Sequence, residues 1–174
     1  MSTAPIRAAS PEALRQITFD PAMEERIEEI LKRYPTQRAA LLPVLWLCQE
    51  RYGWISPGVI EAVATRLGES PAFVEGVVSF YTMFYRQPPA AYVLQVCMTL
   101  SCALCGAKSL AEHIKKKLGI DFGEKTPDGK FQLLGVECLG ACGGAPVLQV
   151  NQDYYENMNP EKLDQLLKEL AEGE

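Results

Sequence analysis

The sequence predicts an α/β domain that is preceded by a small N-terminal bundle of helices. Three helical patterns in the first half each begin with a capping residue followed by proline. A Gln-Pro-Pro break at 87–89 follows, and after it apolar β-rich runs alternate with amphipathic helical patterns. With 174 residues, the chain has room for one domain, or for one small domain with a helical segment attached.

The pairs of a capping residue and proline set the starts of the helices predicted in residues 18–87. The cap accepts a hydrogen bond from a free backbone N–H group, and proline at the first helical position lacks only a donor that the helix does not need. Residues 1–17, which precede the first pair, are expected to form a loose leader. The predicted helices run from Asp20-Pro21 to Tyr34-Pro35, over about 36–51 with an end at Gly53, from Ser56-Pro57 to Gly68, and onward from Ser70-Pro71.

Residues 88–174 are predicted to form the α/β domain, because the hydrophobic period changes after the prolines. The predicted elements are a strand over 92–96 that ends at Cys97, an amphipathic helix over 102–118, a turn at 126–129, a strand over 131–136, a hairpin of 147–150 and 154–156, and a final helix over 160–170 capped by Asn159. The order β-α-β-β-β-α around a small sheet is typical of an α/β domain of thioredoxin-like type.

Composition and charge exclude several classes of protein. Hydrophobic residues make up 48% of the chain and charged residues 22%, as in ordinary globular proteins. The net charge of −5 argues against nucleic-acid binding, and the one dense basic run, 115–117, is interpreted as a solvated helix face. Apolar runs fall short of the ~20 residues of a membrane span, and the N-terminus has no apolar signal core. We therefore expect no membrane span and no nucleic-acid partner.

Cysteines carry the most specific chemistry in this sequence. Five of the six lie within 97–142, and clustered thiols without a secretory signal favour metal binding or redox chemistry. Cys97 and Cys102 are separated by four residues, and Cys138 and Cys142 by three. Each pair begins just after a predicted strand, where α/β sheets gather their ligands. Two loops with two thiolates each could form the four-thiolate site that a 2Fe–2S cluster requires.

Cys105 leaves other interpretations open. The run Cys97-x4-Cys102-x2-Cys105 fits a plant-type ferredoxin. Cys102 and Cys105 at a helix start also resemble the dithiol of a thioredoxin-like oxidoreductase. Four thiolates could instead bind structural zinc, although paired CxxC knuckles are absent. We expect that Cys105 is a bystander, not a ligand, and packs under the cluster-binding loop. A ligand at this position would lie inside the first turn of a long helix.

Further segments surround the cysteine pairs and carry a resemblance to a known family. These segments are the Cys-Leu-Gly-Ala-Cys-Gly-Gly-Ala-Pro run at 138–146, Tyr-Gly-Trp-Ile at 52–55 and Ser-Phe-Tyr-Thr-Met-Phe at 79–84. From about residue 20 to 170 the chain resembles the thioredoxin-like 2Fe–2S subunit, the E-type subunit, of NADH:quinone oxidoreductase, respiratory complex I. The resemblance implies a thioredoxin-like ferredoxin domain behind a helical part. It also implies one 2Fe–2S cluster, whose iron is held by Cys97, Cys102, Cys138 and Cys142.

The resemblance further implies a function and partners. The chain would carry electrons beside a flavoprotein subunit that holds FMN and the NADH site, among other peripheral-arm subunits of complex I. It would be cytoplasmic, peripheral to the inner membrane, and a subunit of an NADH dehydrogenase without catalysing a reaction alone. The same module resembles diaphorase subunits of NAD-linked hydrogenases and formate dehydrogenases, so the parent complex stays open at this point.

Other candidate residues are expected to have structural roles. Cys48 lies in an apolar helical stretch and is predicted to be core. His113, the single histidine, is predicted at the surface or an edge, and one histidine excludes a Rieske-type site within one chain. The aromatic stretch 80–85 is expected to pack in the core, to face a partner, or to do both at different positions. No dinucleotide-binding fingerprint is present, so NADH and flavin are assigned to a partner.

Overall fold

The computed structural model describes residues 3–172, which divide into two compact units. One unit comprises Arg7–Pro89, and the other comprises the residues up to Ile6 together with those from Ala90 onward. Each unit has its own cluster of buried apolar side chains. Within residues 3–172, no helix combines the length and the apolar character that a bilayer crossing requires.

The unit formed by Arg7–Pro89 is helical, as the sequence predicts. The caps act as expected: Asp20 accepts from the Met23 N–H at 2.8 Å, and Ser70 accepts from the Phe73 N–H at 3.2 Å. The elements are α1 (Pro21–Leu31), a 3₁₀ turn (Arg38–Ala40), α2 (Leu41–Tyr52), α3 (Pro57–Leu67) and α4 (Pro71–Phe80).

The second helix starts later than its prediction over 36–51. Regular helix begins at Leu41, after the 3₁₀ turn, and ends as predicted at Gly53, whose φ of 82° glycine adopts without strain. Pro43 gives the physical reason for the late start. It has no N–H to donate, so it is tolerated in the first turn of a helix but would break a helix that began at residue 36.

Residues 7–17 of the predicted leader are part of the helical unit and are packed within it, so they are not loose. Leu14 is buried, and its carbonyl accepts a hydrogen bond from the Ser56 hydroxyl at 2.8 Å. The Trp54 indole N–H donates to the Ala9 carbonyl at 2.9 Å. Gly58 lies so close to this segment that an added Cβ would stand 2.6 Å from the Arg15 carbonyl oxygen.

The second unit is built on a four-stranded mixed sheet, which confirms the predicted thioredoxin-like α/β fold. Its central strand β1 pairs with β2 in parallel and with β3 in antiparallel orientation, giving the strand order β2-β1-β3-β4. The elements are β1 (Tyr92–Cys97), α5 (Leu100–Leu104), α6 (Ala107–Leu118), β2 (Phe131–Val136), a 3₁₀ turn (Cys142–Gly144), β3 (Leu148–Val150), β4 (Asp153–Tyr155) and α7 (Pro160–Glu172).

The helix predicted over 102–118 is in fact two helices. The chain turns at Gly106, which has a φ of 97°, so α5 ends at Leu104 and α6 begins at Ala107. A left-handed residue cannot continue an α-helix, and glycine adopts that conformation at little cost. Cys105 therefore caps the end of α5 and does not lie inside a long helix.

The first described residues are bound to the sheet unit by hydrogen bonds. The Thr3 hydroxyl lies 2.6 Å from the Tyr155 hydroxyl, and the Ile6 N–H donates to the Ala91 carbonyl at 2.8 Å. Between them, the Asn151 side-chain amide donates to the Ala4 carbonyl at 2.9 Å. The start of the predicted leader is thus part of the unit that contains the clustered cysteines.

Candidate metal centre

Two adjacent parallel strands deliver the two cysteine pairs to the same edge of the sheet. Cys97 is the last residue of β1 and lies opposite Val136, the last residue of β2. Cys138 follows two residues after β2. Because parallel strands end at a common edge, the loops that follow them start side by side, as the sequence predicts.

The first pair is buried and in direct contact. Cys97 and Cys102 are each 2% exposed, and their thiols lie close enough to shift each other's pKa. The Thr99 hydroxyl lies 3.3 Å from the Cys97 sulfur and is a second polar partner for it. Thr99 also stands at the N-cap of α5, so a threonine just before a helical pattern was the sequence signal for this contact.

The second pair lies on an exposed loop that touches the first. The backbone N–H of Leu139 lies close enough to the Cys97 sulfur to lower the pKa of Cys97, so the two loops are neighbours. The Gly140 N–H donates to the Cys138 sulfur at 3.3 Å, and the φ of 76° at Gly140 gives the loop its turn. Cys138 and Cys142 are exposed. The loop therefore presents a backbone N–H group to sulfur, as its small residues allow.

The buried pair has opposite pKa shifts. Burial raises the pKa of the Cys97 thiol, but the hydrogen bonds that Cys97 accepts from Thr99, Leu139 and Cys102 outweigh it, so the net pKa is lowered. Burial, followed by the hydrogen bond to Cys97, raises the pKa of Cys102. Cys97 is thus the thiol of this pair that ionises first, and the thiolate is the form that binds iron.

The structure brings the four predicted ligands into one neighbourhood without closing them into one group. Cys142 is close enough to Cys102 to raise the pKa of Cys102 electrostatically, while Cys138 is hydrogen-bonded within its own loop. Among residues 3–172, no three Cys, His, Asp or Glu side chains are grouped closely enough to hold a metal ion. Gathering all four sulfurs requires the exposed side chains of Cys138 and Cys142 to turn inward.

The donor set fits a 2Fe–2S cluster. Apart from the thiols, segments 97–107 and 138–152 contain no ionisable side chain. Thiolates are the ligands of iron–sulfur clusters, whereas calcium and magnesium need oxygen ligands. Small residues, three of them glycine, fill much of the second loop and let the backbone come close to a bound group.

Cys105 is not packed under the loop, contrary to expectation. It is exposed at the end of α5. The structure also argues against a thioredoxin-like dithiol of Cys102 and Cys105. The attacking cysteine of such a dithiol is accessible and has a lowered pKa, whereas Cys102 is buried and has a raised pKa.

Residues outside the loops take the roles expected of them. Cys48 is fully buried among the helices, and burial raises its pKa to about 12. His113 lies half-buried at an edge, with its Nε2 atom 2.9 Å from the Asp164 carboxylate. In the aromatic stretch, Phe84 is core while Phe80 is 76% exposed, so this stretch contributes both to packing and to the surface.

The chain is similar to a known protein family and to subunits of NADH-quinone oxidoreductases. Residues 27–171 match the family described as thioredoxin-like [2Fe-2S] ferredoxin. The chain is 43% identical over 152 residues to the second E-type subunit of NADH-quinone oxidoreductase from Rhizobium meliloti, covering 87% of this chain and 90% of that protein. It is 44% identical over 153 residues to NADH-quinone oxidoreductase subunit 2 from Thermus thermophilus, covering 86% of this chain and 84% of that protein.

Among solved structures, an NAD⁺-reducing [NiFe]-hydrogenase in the air-oxidized state is similar with a TM-score of 0.67 and 21% identity. That similarity covers 75% of this chain but 22% of the hydrogenase chain, and it supports the fold alone. The family match and the relatives cover most of this chain at high similarity. The chain therefore belongs to the thioredoxin-like [2Fe-2S] ferredoxin family, alongside the E-type subunits of NADH-quinone oxidoreductases.

Proposed function

We propose that this chain is the electron-carrying subunit of an NADH:quinone oxidoreductase and holds one 2Fe–2S cluster through Cys97, Cys102, Cys138 and Cys142. The observation that carries the proposal is the placement of the two pairs after adjacent parallel strands, with Cys97 at the end of β1 opposite the end of β2 and Cys138 two residues further on. Four thiols within two touching loops at one sheet edge are the donor set that such a cluster needs.

The residues of the chain perform three tasks in this function. The two buried thiols would supply one half of the ligand set, and the exposed pair on the second loop would supply the other half. Backbone donors such as the Leu139 N–H stabilise negative charge on sulfur, as outer hydrogen bonds do in metal sites generally. A bound cluster supplies one-electron transfer with no bond chemistry on a substrate. Cys105 has no ligand role in this assignment.

The electron donor is a flavoprotein subunit that carries FMN and the NADH site, within a complex that is cytoplasmic and peripheral to the inner membrane. The sequence has no dinucleotide-binding fingerprint, so the chain by itself does not oxidise NADH. We assign the main docking surface to the exposed end of the aromatic stretch, Phe80 and Met83, because exposed aromatic and methionine side chains are enriched at interface cores. Co-purification of the flavoprotein with a Phe80→Ser variant tests this surface, and undiminished binding argues against it.

Reconstitution of the full chain tests the cluster assignment. The chain is purified without oxygen, supplied with iron and sulfide, and examined by visible absorption with iron and sulfide counts. We expect a coloured protein with two irons and two sulfides. Cys138→Ala should lose the colour because a ligand is missing, whereas the matched variant Cys105→Ala should keep it. Colour lost in Cys105→Ala and kept in Cys138→Ala contradicts the ligand set, and a colourless loaded chain contradicts the function.

A further inference from the structure

The segment between β4 and α7 braces the turn that contains Cys142. The Asn157 N–H donates to the Gly144 carbonyl at 2.6 Å, and the Met158 N–H donates to the Pro146 carbonyl at 3.1 Å. Asn157 has a φ of 50°, a left-handed conformation that asparagine tolerates better than most residues. Two consecutive backbone donors thus fix this segment against the second cysteine loop.

Glu156 lies directly over this turn. An added Cβ on Gly144 would stand 2.6 Å from the Glu156 Cβ atom and closer still to the carboxylate, so the Glu156 side chain fills the space next to the glycine backbone. Gly144 is buried, whereas the neighbouring Gly143 has nothing within 4 Å of an added Cβ. The glycine at 144 is therefore what allows the carboxylate to rest against the turn.

The Glu156 carboxylate lies next to a loop that carries no charged side chain. The stretch 138–152, which includes the whole second loop, carries no acidic or basic side chain. The fold places Glu156 against Gly144, and Gly144 lies two residues after Cys142 in the same turn. Glu156 lines a surface groove between β4 and α7, and Lys162 lines the same groove. Lys162 donates to the Asn157 carbonyl at 2.9 Å, and it forms no salt bridge with Glu156 in the described residues. Within residues 3–172, the negative charge of Glu156 therefore acts on the turn without a cation in salt-bridge contact.

We propose that Glu156 sets the reduction potential of the 2Fe–2S cluster, by holding a negative charge against the turn that carries Cys142. This inference rests on the proposed function. Reduction adds one negative charge to a group already surrounded by four thiolates, and a nearby carboxylate opposes that addition. Net charge around a cluster is one of the quantities that fix its potential. Glu156 therefore lowers the potential of the cluster.

Redox titration of the loaded full chain tests the inference. Glu156→Gln keeps the size of the side chain and removes its charge, so we expect an unchanged visible spectrum and a midpoint potential shifted upward. The shift should be largest at low ionic strength and should shrink in about 1 M salt, because salt screens an exposed charge. Glu156→Asp keeps the charge and should stay closer to the unmodified chain than Glu156→Gln does.

Two further variants separate charge near the turn from other causes. Asp128→Asn removes one negative charge from the turn before β2, at the opposite end of that strand from Cys138, and should leave the potential nearly unchanged. Gly144→Ala adds the Cβ that collides with Glu156, so it should raise the potential in the unmodified chain but add little when combined with Glu156→Gln.

The outcomes distinguish this inference from the function on which it rests. Equal potentials in the loaded unmodified chain and in loaded Glu156→Gln overturn the role of Glu156 and leave the proposed function standing. An equal upward shift in Asp128→Asn also overturns it, because the effect would then belong to net charge. A chain that takes up no iron and sulfide overturns the proposed function and this inference with it.

Discussion

The Ser56 hydroxyl serves two backbone groups at once. It accepts from the Val59 N–H at 3.1 Å, as a helix cap does, and it donates to the Leu14 carbonyl at 2.8 Å. Ser70 caps α4 in the same way from an exposed position. The Ser-Pro pattern predicts both caps equally well. The second bond of Ser56 depends on a segment 42 residues earlier in the chain, which no local pattern shows.

Removing the two caps should therefore have unequal effects. Ser56→Ala loses the cap and leaves the Leu14 carbonyl unpaired, so we expect the free energy of unfolding to fall by about 2–3 kcal/mol. Ser70→Ala should lower it by about 1 kcal/mol or less, because solvent replaces an exposed cap. Urea denaturation of both variants measures the difference. Equal losses would mean that the bond to Leu14 contributes nothing to stability.

In the cysteine loops, too, the sequence pattern predicts some features, while others depend on the folded chain. The spacing of the cysteines and their place after strands predicted that the two pairs meet at one sheet edge, and the structure agrees. The small residues of the second loop favour backbone N–H groups close to sulfur, but which N–H donates, as Gly140 does to Cys138, depends on the folded loop. The contact of Glu156 with Gly144 could not be predicted from the sequence, because the 11 residues between them must fold back to create it.

Among the elements, the strands and the starts of α1, α3, α4 and α7 were predicted well, whereas the start of α2 and the interior of the helix predicted over 102–118 were not. Strand β2 has the predicted bounds, and Asn159 caps α7 as expected, with its side chain accepting from the Lys162 N–H at 2.8 Å. The helix break at Gly106 was missed because the apolar period continues through it. A single glycine inside a helical pattern is usually tolerated, so sequence periodicity cannot distinguish a glycine within a helix from a glycine that ends one.

Two glycine-to-alanine variants test this explanation of the break. Gly106 has a φ of 97° and open space around an added Cβ, so Gly106→Ala should cost about 1 kcal/mol from backbone strain alone. Gly76 lies within α4 with equally open space and no left-handed φ, so Gly76→Ala should stabilise by about 0.5–1 kcal/mol. Thermal unfolding measures both. A stabilising Gly106→Ala would contradict the left-handed turn between α5 and α6.

On the scale of the whole chain, the sequence boundaries and the compact units differ at the N-terminus. The prolines at 87–89 predicted the second unit from residue 88 onward, and the compact unit begins at Ala90. The residues up to Ile6 belong to that same unit. They were predicted as leader because they contain no periodic pattern. Their contacts go to Asn151 and Tyr155, which lie near the other end of the chain.

The sheet unit should lose stability when these contacts are removed. In Asn151, the side-chain oxygen accepts from the Val93 N–H at 2.9 Å, while the amide donates to the Ala4 and Ala91 carbonyls. Asn151→Asp keeps the acceptor and loses both donors, so we expect a loss of about 2–3 kcal/mol. Deleting residues 2–6 should lower the stability of the same unit by a similar amount. Hydrogen exchange of the β1 amides measures both variants, and unchanged protection in the deletion would show that the segment is dispensable.

The bond from Asn151 to Ala4 joins positions 147 residues apart, and this separation has a consequence for the order of folding during synthesis. The helical unit draws on residues 7–89 and on caps that act within a few positions, so it can form while the rest of the chain is still on the ribosome. The sheet unit needs β3, Asn151 and α7, so it can form only after α7 has been synthesised. Its thiols stay unassembled until then, so we expect iron and sulfide to bind only after α7 has been made.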